Sequence, residues 1–446
     1  MNLFVIFMLC AVTVSEYLVD SVRVLPSPLR LLPEMCSAIA LLVVIARVLI
    51  GTRIRLDWRY GLFLGLLVFI MVFGFFAQSE DAGPIVGGIR IYLKALPFLL
   101  LPAVYSFTER EVKTQAIWLF ILMAVQTPLA FYQKYFQFRD HWNTGDYITG
   151  TVITSGVMSV LMLFCIAALV VMYLRDKIRL VPFVIGVGFF LAPTTINETK
   201  ITIILLPLVM LVPALFMPRG KQALRKLVPV LVTGGAAAMS FLAVYAYFAQ
   251  FERGTRRIED FFQDEKAVKS YLYTNADKQR FADLGRGDTL VYAWRRLEQD
   301  PLVFGFGVGA GNASQTSMRQ FQGKYSKYYR AYGVGYTQIG YWLWELGFAG
   351  LLAYVALFFA AFRDARFLAR SDSPFSAIGQ TWATILVLFV IALGYTAVFA
   401  IDVLLYPFWF YTGLCASKAW ELRAARTTPQ SQLSRTSQAR APANAM

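Results

Sequence analysis

Residues 151–196 read TVITSGVMSVLMLFCIAALVVMYLRDKIRLVPFVIGVGFFLAPTTI. Two apolar runs, 151–174 and 180–196, are separated only by a short connection carrying Arg175, Lys177 and Arg179. Neither run has the polar face of a helix on the surface of a soluble domain. Each is close to the ~20 apolar residues that carry a helix through the hydrocarbon core of a bilayer. The pair reads as two membrane-crossing helices joined by a basic turn.

Outward from this pair the pattern repeats. Further apolar runs lie at 2–19, 31–50, 60–78, 85–106, 114–131, 201–217, 227–249, 337–362, 382–401 and 403–419, which brings the expected number of spans to about twelve. Hydrophobic residues make up 58% of the 446 and charged residues 15%, a balance that excludes an ordinary soluble domain. The expected fold is an all-α polytopic integral membrane protein with one large extracytoplasmic loop containing short helices. Its parts are an N-terminal transmembrane bundle at 1–250, the loop at 251–336, C-terminal spans at 337–420 and a tail at 421–446. Thr427–Met446, rich in Ser, Gln, Ala and Pro, reads as disordered.

The net charge of +15 would point to nucleic acid in a soluble chain. Here the Lys and Arg residues cluster in short connections, where they set orientation by the positive-inside rule. That rule places both termini in the cytoplasm and 251–336 outside, and no nucleic-acid partner is expected. Cys10, Cys36, Cys165 and Cys415 all fall within apolar runs and read as small hydrophobic residues rather than a disulfide or zinc framework. The single histidine, His141, excludes a histidine-rich metal site, so no metal is expected. The first run, lacking a basic leader and a cleavage site, reads as an uncleaved span.

Charged residues inside or beside apolar runs are costly and therefore informative. Arg90 and Lys94 lie four residues apart and share a helical face; Glu198 and Lys200 stand beside the 201–217 run; Asp402 separates the last two runs. Each also has a plainer reading, with Arg90 and Lys94 snorkelling to headgroups and Glu198 with Lys200 forming a local ion pair. Their convergence toward the outer side fits a cationic cavity for a lipid-linked phosphate or diphosphate.

The loop adds Gly285-Arg286-Gly287-Asp288, Trp294-Arg295-Arg296, and Gly305, Gly307, Gly309 and Gly311 alternating over seven residues. A nucleotide-loop reading fails, because no Lys-Ser/Thr follows and no βαβ context surrounds the run. The glycines serve either close approach of main-chain N–H groups to an anion or sugar, or a turn between helices. Arg295 and Arg296 read first as a solvated pair, with Arg296 retained as a substrate-binding candidate beside Gly305 and Gly307.

Taken in order, Arg286, Trp294, Pro301, Gly305, Gly307 and Gly309, then Tyr336-Thr337, then Gly347 and Gly350, resemble the C-terminal signature of the O-antigen ligase and Wzy-type polysaccharide polymerase superfamily. Two departures stand out. The family's Ser-Arg at the outer end of a middle span is Thr199-Lys200 here, and its His-Asn is Tyr336-Thr337. A phenol that ionises near pH 10 is a poor base at neutral pH, so the resemblance favours a polymerase over a true ligase.

The resemblance implies a metal-independent membrane glycosyltransferase without cofactors, in the bacterial inner membrane, acting on undecaprenyl-diphosphate-linked oligosaccharide. A chain-length regulator or export proteins are its implied partners besides membrane lipid. Arg286 and Lys200 would contact the diphosphate, and Arg90 and Lys94 would provide a second contact. Glu198 or Asp288 would act as base, and Tyr336 would position the acceptor. A ligase acting on a lipid or protein acceptor, and a non-enzymatic flippase, are the alternatives.

Overall fold

The computed structural model describes residues 1–78, 82–139, 144–152, 154–217, 221–249, 285–314, 321–329 and 334–427. The tail from 428 onward, His141 and the first part of the expected loop, 251–284, lie outside the described residues. Every regular element among the described residues is helical.

The helices are α1 (Asn2–Glu16), α2 (Leu32–Leu49), α3 (Trp58–Gln78), α4 (Ala82–Leu93), α5 (Pro97–Val104), α6 (Glu109–Tyr132) and α7 (Thr144–Tyr147). They continue as α8 (Ser155–Leu174), α9 (Leu180–Ile196), α10 (Ile201–Leu211), α11 (Lys221–Ala249), α12 (Arg286–Leu297) and α13 (Pro301–Phe306). The last four are α14 (Lys324–Tyr329), α15 (Gln338–Ala369), α16 (Ser376–Leu393) and α17 (Asp402–Thr427).

Eight helical stretches are long and apolar enough to cross a membrane, and Trp58–Gly74, Leu180–Ile196 and Ile201–Phe216 are shorter apolar helices. Their outward faces are as greasy as their inward ones: Ile39, Leu42 and Leu49 on α2 and Val228, Val232 and Met239 on α11 are all exposed. Exposed apolar surface on this scale needs an apolar solvent.

Local sequence explains where helices start and stop. A capping box at Thr108 and Glu111 begins α6 before the apolar run does, because it satisfies the first orphan N–H groups through polar residues. The 85–106 run is not one helix. It unwinds at 94–96 and restarts at Pro97, whose missing N–H is tolerated at a first helical position. The 382–401 run likewise ends its helix at Leu393, leaving 394–401 as a turn and a short 3-10 stretch.

The core is built on α15 and α17. α15 packs on α3, α16 and α17, while α17 packs on α5 and is buried from Val403 to Lys418 except where it meets solvent at its ends. α8 is covered by α9, α10 and α16. Cys36, Cys165 and Cys415 are buried, and all four thiols are free.

One end of the bundle is bolted by charge. Asp364 of α15 is fully buried, accepts from the Tyr60 hydroxyl at 2.9 Å and pairs with Arg423 of α17 at 2.5 Å and Arg59 of α3 at 3.6 Å. Beside it Arg55 meets Glu421 at 2.7 Å, and Lys418 meets the same carboxylate at 2.9 Å.

Candidate functional site

At the other end, residues 285–314 sit on the start of α15. Ala293 and Leu297 of α12 and Val308, just past α13, form a small core against Leu343 and Trp344, and Trp294 packs edge-on to Phe304 at 4.8 Å. The glycine run is what lets this segment dock. Gly307 has φ 77°, and a Cβ there would stand 2.4 Å from the Glu345 carbonyl carbon. α15 is kinked at Gly347, with φ 65° and ψ −165°, and a Cβ at Gly347 would stand 2.4 Å from the Gly307 nitrogen. Main chain therefore lies on main chain, and the Val308 N–H donates to the Trp344 carbonyl at 2.7 Å.

Glu345, buried beside this kink, fastens the segment from the inside. Its Oε1 accepts from the Ala313 N–H at 3.0 Å and the Ser314 hydroxyl at 2.5 Å. A carboxylate inside an apolar run is a legible signal, and Glu345 was the one such residue in 337–362 that sequence reasoning passed over.

Arg286 is the first residue of α12. Its Nε donates to the Tyr395 carbonyl at 2.9 Å, and its guanidinium lies 4.4 Å over the Tyr395 ring. Tyr395 in turn abuts Gly156 at the start of α8, where the added Cβ would meet its ring at 3.2 Å. One residue earlier, the Ser155 carbonyl accepts from Asn197 Nδ2 at 3.0 Å. Arg286 and the Asn197–Lys200 turn thus adjoin through Tyr395 and the first residues of α8, although about 86 residues separate Arg286 from Lys200 in sequence.

That turn is constrained. Asn197 Oδ1 accepts from the Thr199 N–H at 3.2 Å and its hydroxyl at 2.8 Å, and Glu198 is held at φ 57°. A left-handed non-glycine residue costs about 1–2 kcal/mol, which the hydrogen bonds around Asn197 offset. The Glu198 carboxylate lies 3.5 Å from Lys134 Nζ, and each side chain is 7% exposed. Lys200 is half-buried at the entry to α10. Lys134, at the outgoing end of the 114–131 run, was not singled out from sequence because it lies just past the apolar block.

The second cationic pair lies on the far side of the 394–402 connection. Arg90 pairs with Glu34 at 2.7 Å, and Lys94 pairs with Asp402 at 2.5 Å and with Glu34 at 3.7 Å. Glu34, in the first turn of α2, is a partner the sequence reading did not name. Arg90 and Lys94 border a cavity of about 210 Å³ whose other walls include Ser314, Gln338, Tyr341 and Trp409. The Gln338 amide oxygen accepts from the Phe399 N–H at 2.8 Å, so the connection that holds Arg286 at Tyr395 also shapes this cavity.

The remaining candidates are more dispersed. Asp288 is half-buried in the first turn of α12, and Arg296 is exposed and donates to Gln299 Oε1 at 2.5 Å. Tyr336 is 38% exposed, immediately before Thr337, whose hydroxyl caps α15 by accepting from the Gly340 N–H at 3.1 Å. No cluster of metal-ligating side chains occurs among the described residues. No protein-family model matches the chain, and no curated protein matches it in sequence.

Proposed function

We propose that the protein polymerises polyprenyl-diphosphate-linked oligosaccharide repeat units at the outer face of a bacterial inner membrane. The reading extends the helical bundle to about twelve crossings, with both termini inside and 285–336 part of a large outer loop. It draws on the order of motifs from Arg286 to Gly350. The observation that supports it best is the chain of contacts from Arg286 through Tyr395 and the start of α8 to Asn197, since the resemblance gives Arg286 and the Asn197–Lys200 turn to the same diphosphate.

In the proposed reaction an acceptor sugar hydroxyl attacks the anomeric carbon of the donor glycan. The new C–O bond forms as the bond to the diphosphate oxygen breaks, and the diphosphate leaves with the electron pair. Its growing negative charge is what Arg286 and Lys200 would stabilise, a task cations perform without a metal. The hydroxyl proton needs an acceptor. Glu198, 3.5 Å from Lys134, and Asp288, two residues from Arg286, are the carboxylates available to take it. Either Glu198 or Asp288 would serve as base, with Tyr336 as a positioning group. Arg90 and Lys94 would meet the substrate at the neighbouring cavity.

The test is an assay of the purified chain with lipid-linked repeat units as sole substrate, with products resolved by size. A ladder that disappears in Arg286→Ala supports the reading. Consumption of donor only when a separate acceptor is added would make the protein a ligase, and no consumption in either case would remove the enzymatic reading and leave transport.

A further inference from the structure

A cavity of about 990 Å³ lies at the end away from Arg286, between α6, α8, α16 and α17. Its walls are Leu119, Phe120 and Met123 of α6, Leu161, Phe164 and Ala168 of α8, and the aromatic rings of Trp382, Phe389, Phe408 and Tyr411. The α8 lining alone runs from Leu161 to Leu174, which at 1.5 Å per residue makes the groove about 20 Å deep. That exceeds the ~15 Å of one leaflet's hydrocarbon, half the bilayer core.

Charge is confined to one end of the groove. Lys113, Arg175, Lys177 and Lys226 line it there against a single carboxylate, Glu109. Lys226 is engaged by Asp176 and the Leu174 carbonyl. Arg175 is different: its guanidinium donates to Gln380 at 2.5 Å, the Ser376 hydroxyl at 2.7 Å and the Ala369 carbonyl at 2.7 Å, all neutral. Among the described residues it forms no ion pair, and the exposed ammonium groups of Lys113 and Lys177 form none either. A guanidinium fixed by neutral acceptors at the mouth of an apolar slot, flanked by two exposed lysines, leaves a net positive potential that the one lining carboxylate, Glu109, does not balance.

From this geometry we infer that the groove is a binding site for an anionic glycerophospholipid, with acyl chain along α8 and phosphate among Lys113, Arg175 and Lys177. An apolar slot longer than one leaflet matches an acyl chain, and the cationic mouth lies where the headgroup of such a chain would sit. The site is independent of the reaction proposed near Arg286 and stands whether or not that reading survives.

The experiment equilibrates the detergent-purified full chain with micelles holding equal phosphatidylglycerol and phosphatidylcholine, and reads retained lipid by native mass spectrometry. Phosphatidylglycerol should be retained in preference. K113A/K177A should lose about 25-fold in phosphatidylglycerol affinity, at roughly fivefold per lysine near a charged headgroup, with phosphatidylcholine unchanged. Both lysines are exposed, so an unaltered melting temperature in phosphatidylcholine will establish that this variant is folded. Ala168→Trp, which fills the slot from α8, should lower retention of both lipids. Equal retention of the two lipids by the wild-type chain would overturn the inference, as would wild-type phosphatidylglycerol binding in K113A/K177A. Displacement of phosphatidylglycerol by an equal amount of polyprenyl phosphate would assign the groove to the prenyl carrier instead and overturn it too.

Discussion

Breaking the ion pair between Lys134 and Glu198 separates what this pair does for the fold from what Glu198 does for the reaction. Two unit charges 3.5 Å apart attract by about 5 kcal/mol at an effective dielectric near 20, and both side chains are only 7% exposed. Glu198→Gln removes the anion and leaves a buried ammonium, at a cost of about 3–5 kcal/mol, and Lys134→Met does the converse. The Lys134→Met/Glu198→Gln double variant removes both charges and should recover most of that loss. Melting of the detergent-purified variants by size-exclusion fluorescence should show each single variant several degrees below wild type and the double variant close to it. Activity then divides the roles. A double variant that is stable and still makes polymer limits Glu198 to holding the turn, whereas a stable but inactive one returns it to the chemistry. If Glu198→Gln alone melts at the wild-type temperature, the pair is not worth what its distance and burial imply, and the reasoning fails.

Other substitutions read other parts of the structure. Gly307→Ala, forced into a region that only glycine enters comfortably and aimed at the Glu345 carbonyl carbon at 2.4 Å, should destabilise by about 3 kcal/mol or more, read as a lowered melting temperature and poor extraction. Arg286→Lys keeps a charge but loses the planar stack on Tyr395, so polymer yield should fall at least tenfold while the melting temperature stays near wild type; unchanged yield would show that the stacked geometry is not needed. At the bolted end, the hydrogen bond from Arg59 holds the Asp57 carboxyl below its ordinary value. Its folded value being the lower one, Asp57 contributes stability above the unfolded value of 3.8 that is lost as pH falls through the folded value. Asp57→Asn should therefore flatten the decline of melting temperature below about pH 4, and an identical decline in both proteins would refute this.

The helices were legible wherever hydrophobicity alone decides. The 180–196 run is the helix Leu180–Ile196, and 31–50 contains Leu32–Leu49, because an apolar run without water around it has no alternative to satisfying its backbone internally. Interruptions were less legible. The unwinding at 94–96 and the turn after Leu393 are marked locally only by Pro97 and Gly394, and tertiary contacts hold them: Lys94 reaching Asp402, and the Gln338 side chain accepting from the Phe399 N–H. At the candidate site, Arg90, Lys94, Glu198 and Asp402 stood out because charge in apolar sequence is conspicuous. Their partners Glu34 and Lys134 lie at run edges, where a charged residue is ordinary, and Tyr395 carries no charge at all. The pairing of Arg286 with Tyr395 is a contact between segments over 100 residues apart, which no local pattern encodes.

The docking of the 305–311 segment on α3, α4 and α15 also has a meaning for how this chain tolerates change. Gly311 would place a Cβ 1.7 Å from the Pro84 carbonyl oxygen, Gly88 would place one 2.3 Å from the Ala310 carbonyl carbon, and Gly307 and Gly347 exclude each other's side chains in the same way. A saturation scan would thus find a set of positions, scattered from 88 to 347, at which only the smallest residue survives and a second substitution cannot rescue the first. Such a set is a record of one segment seated on another, written in atoms that are missing rather than in side chains that touch.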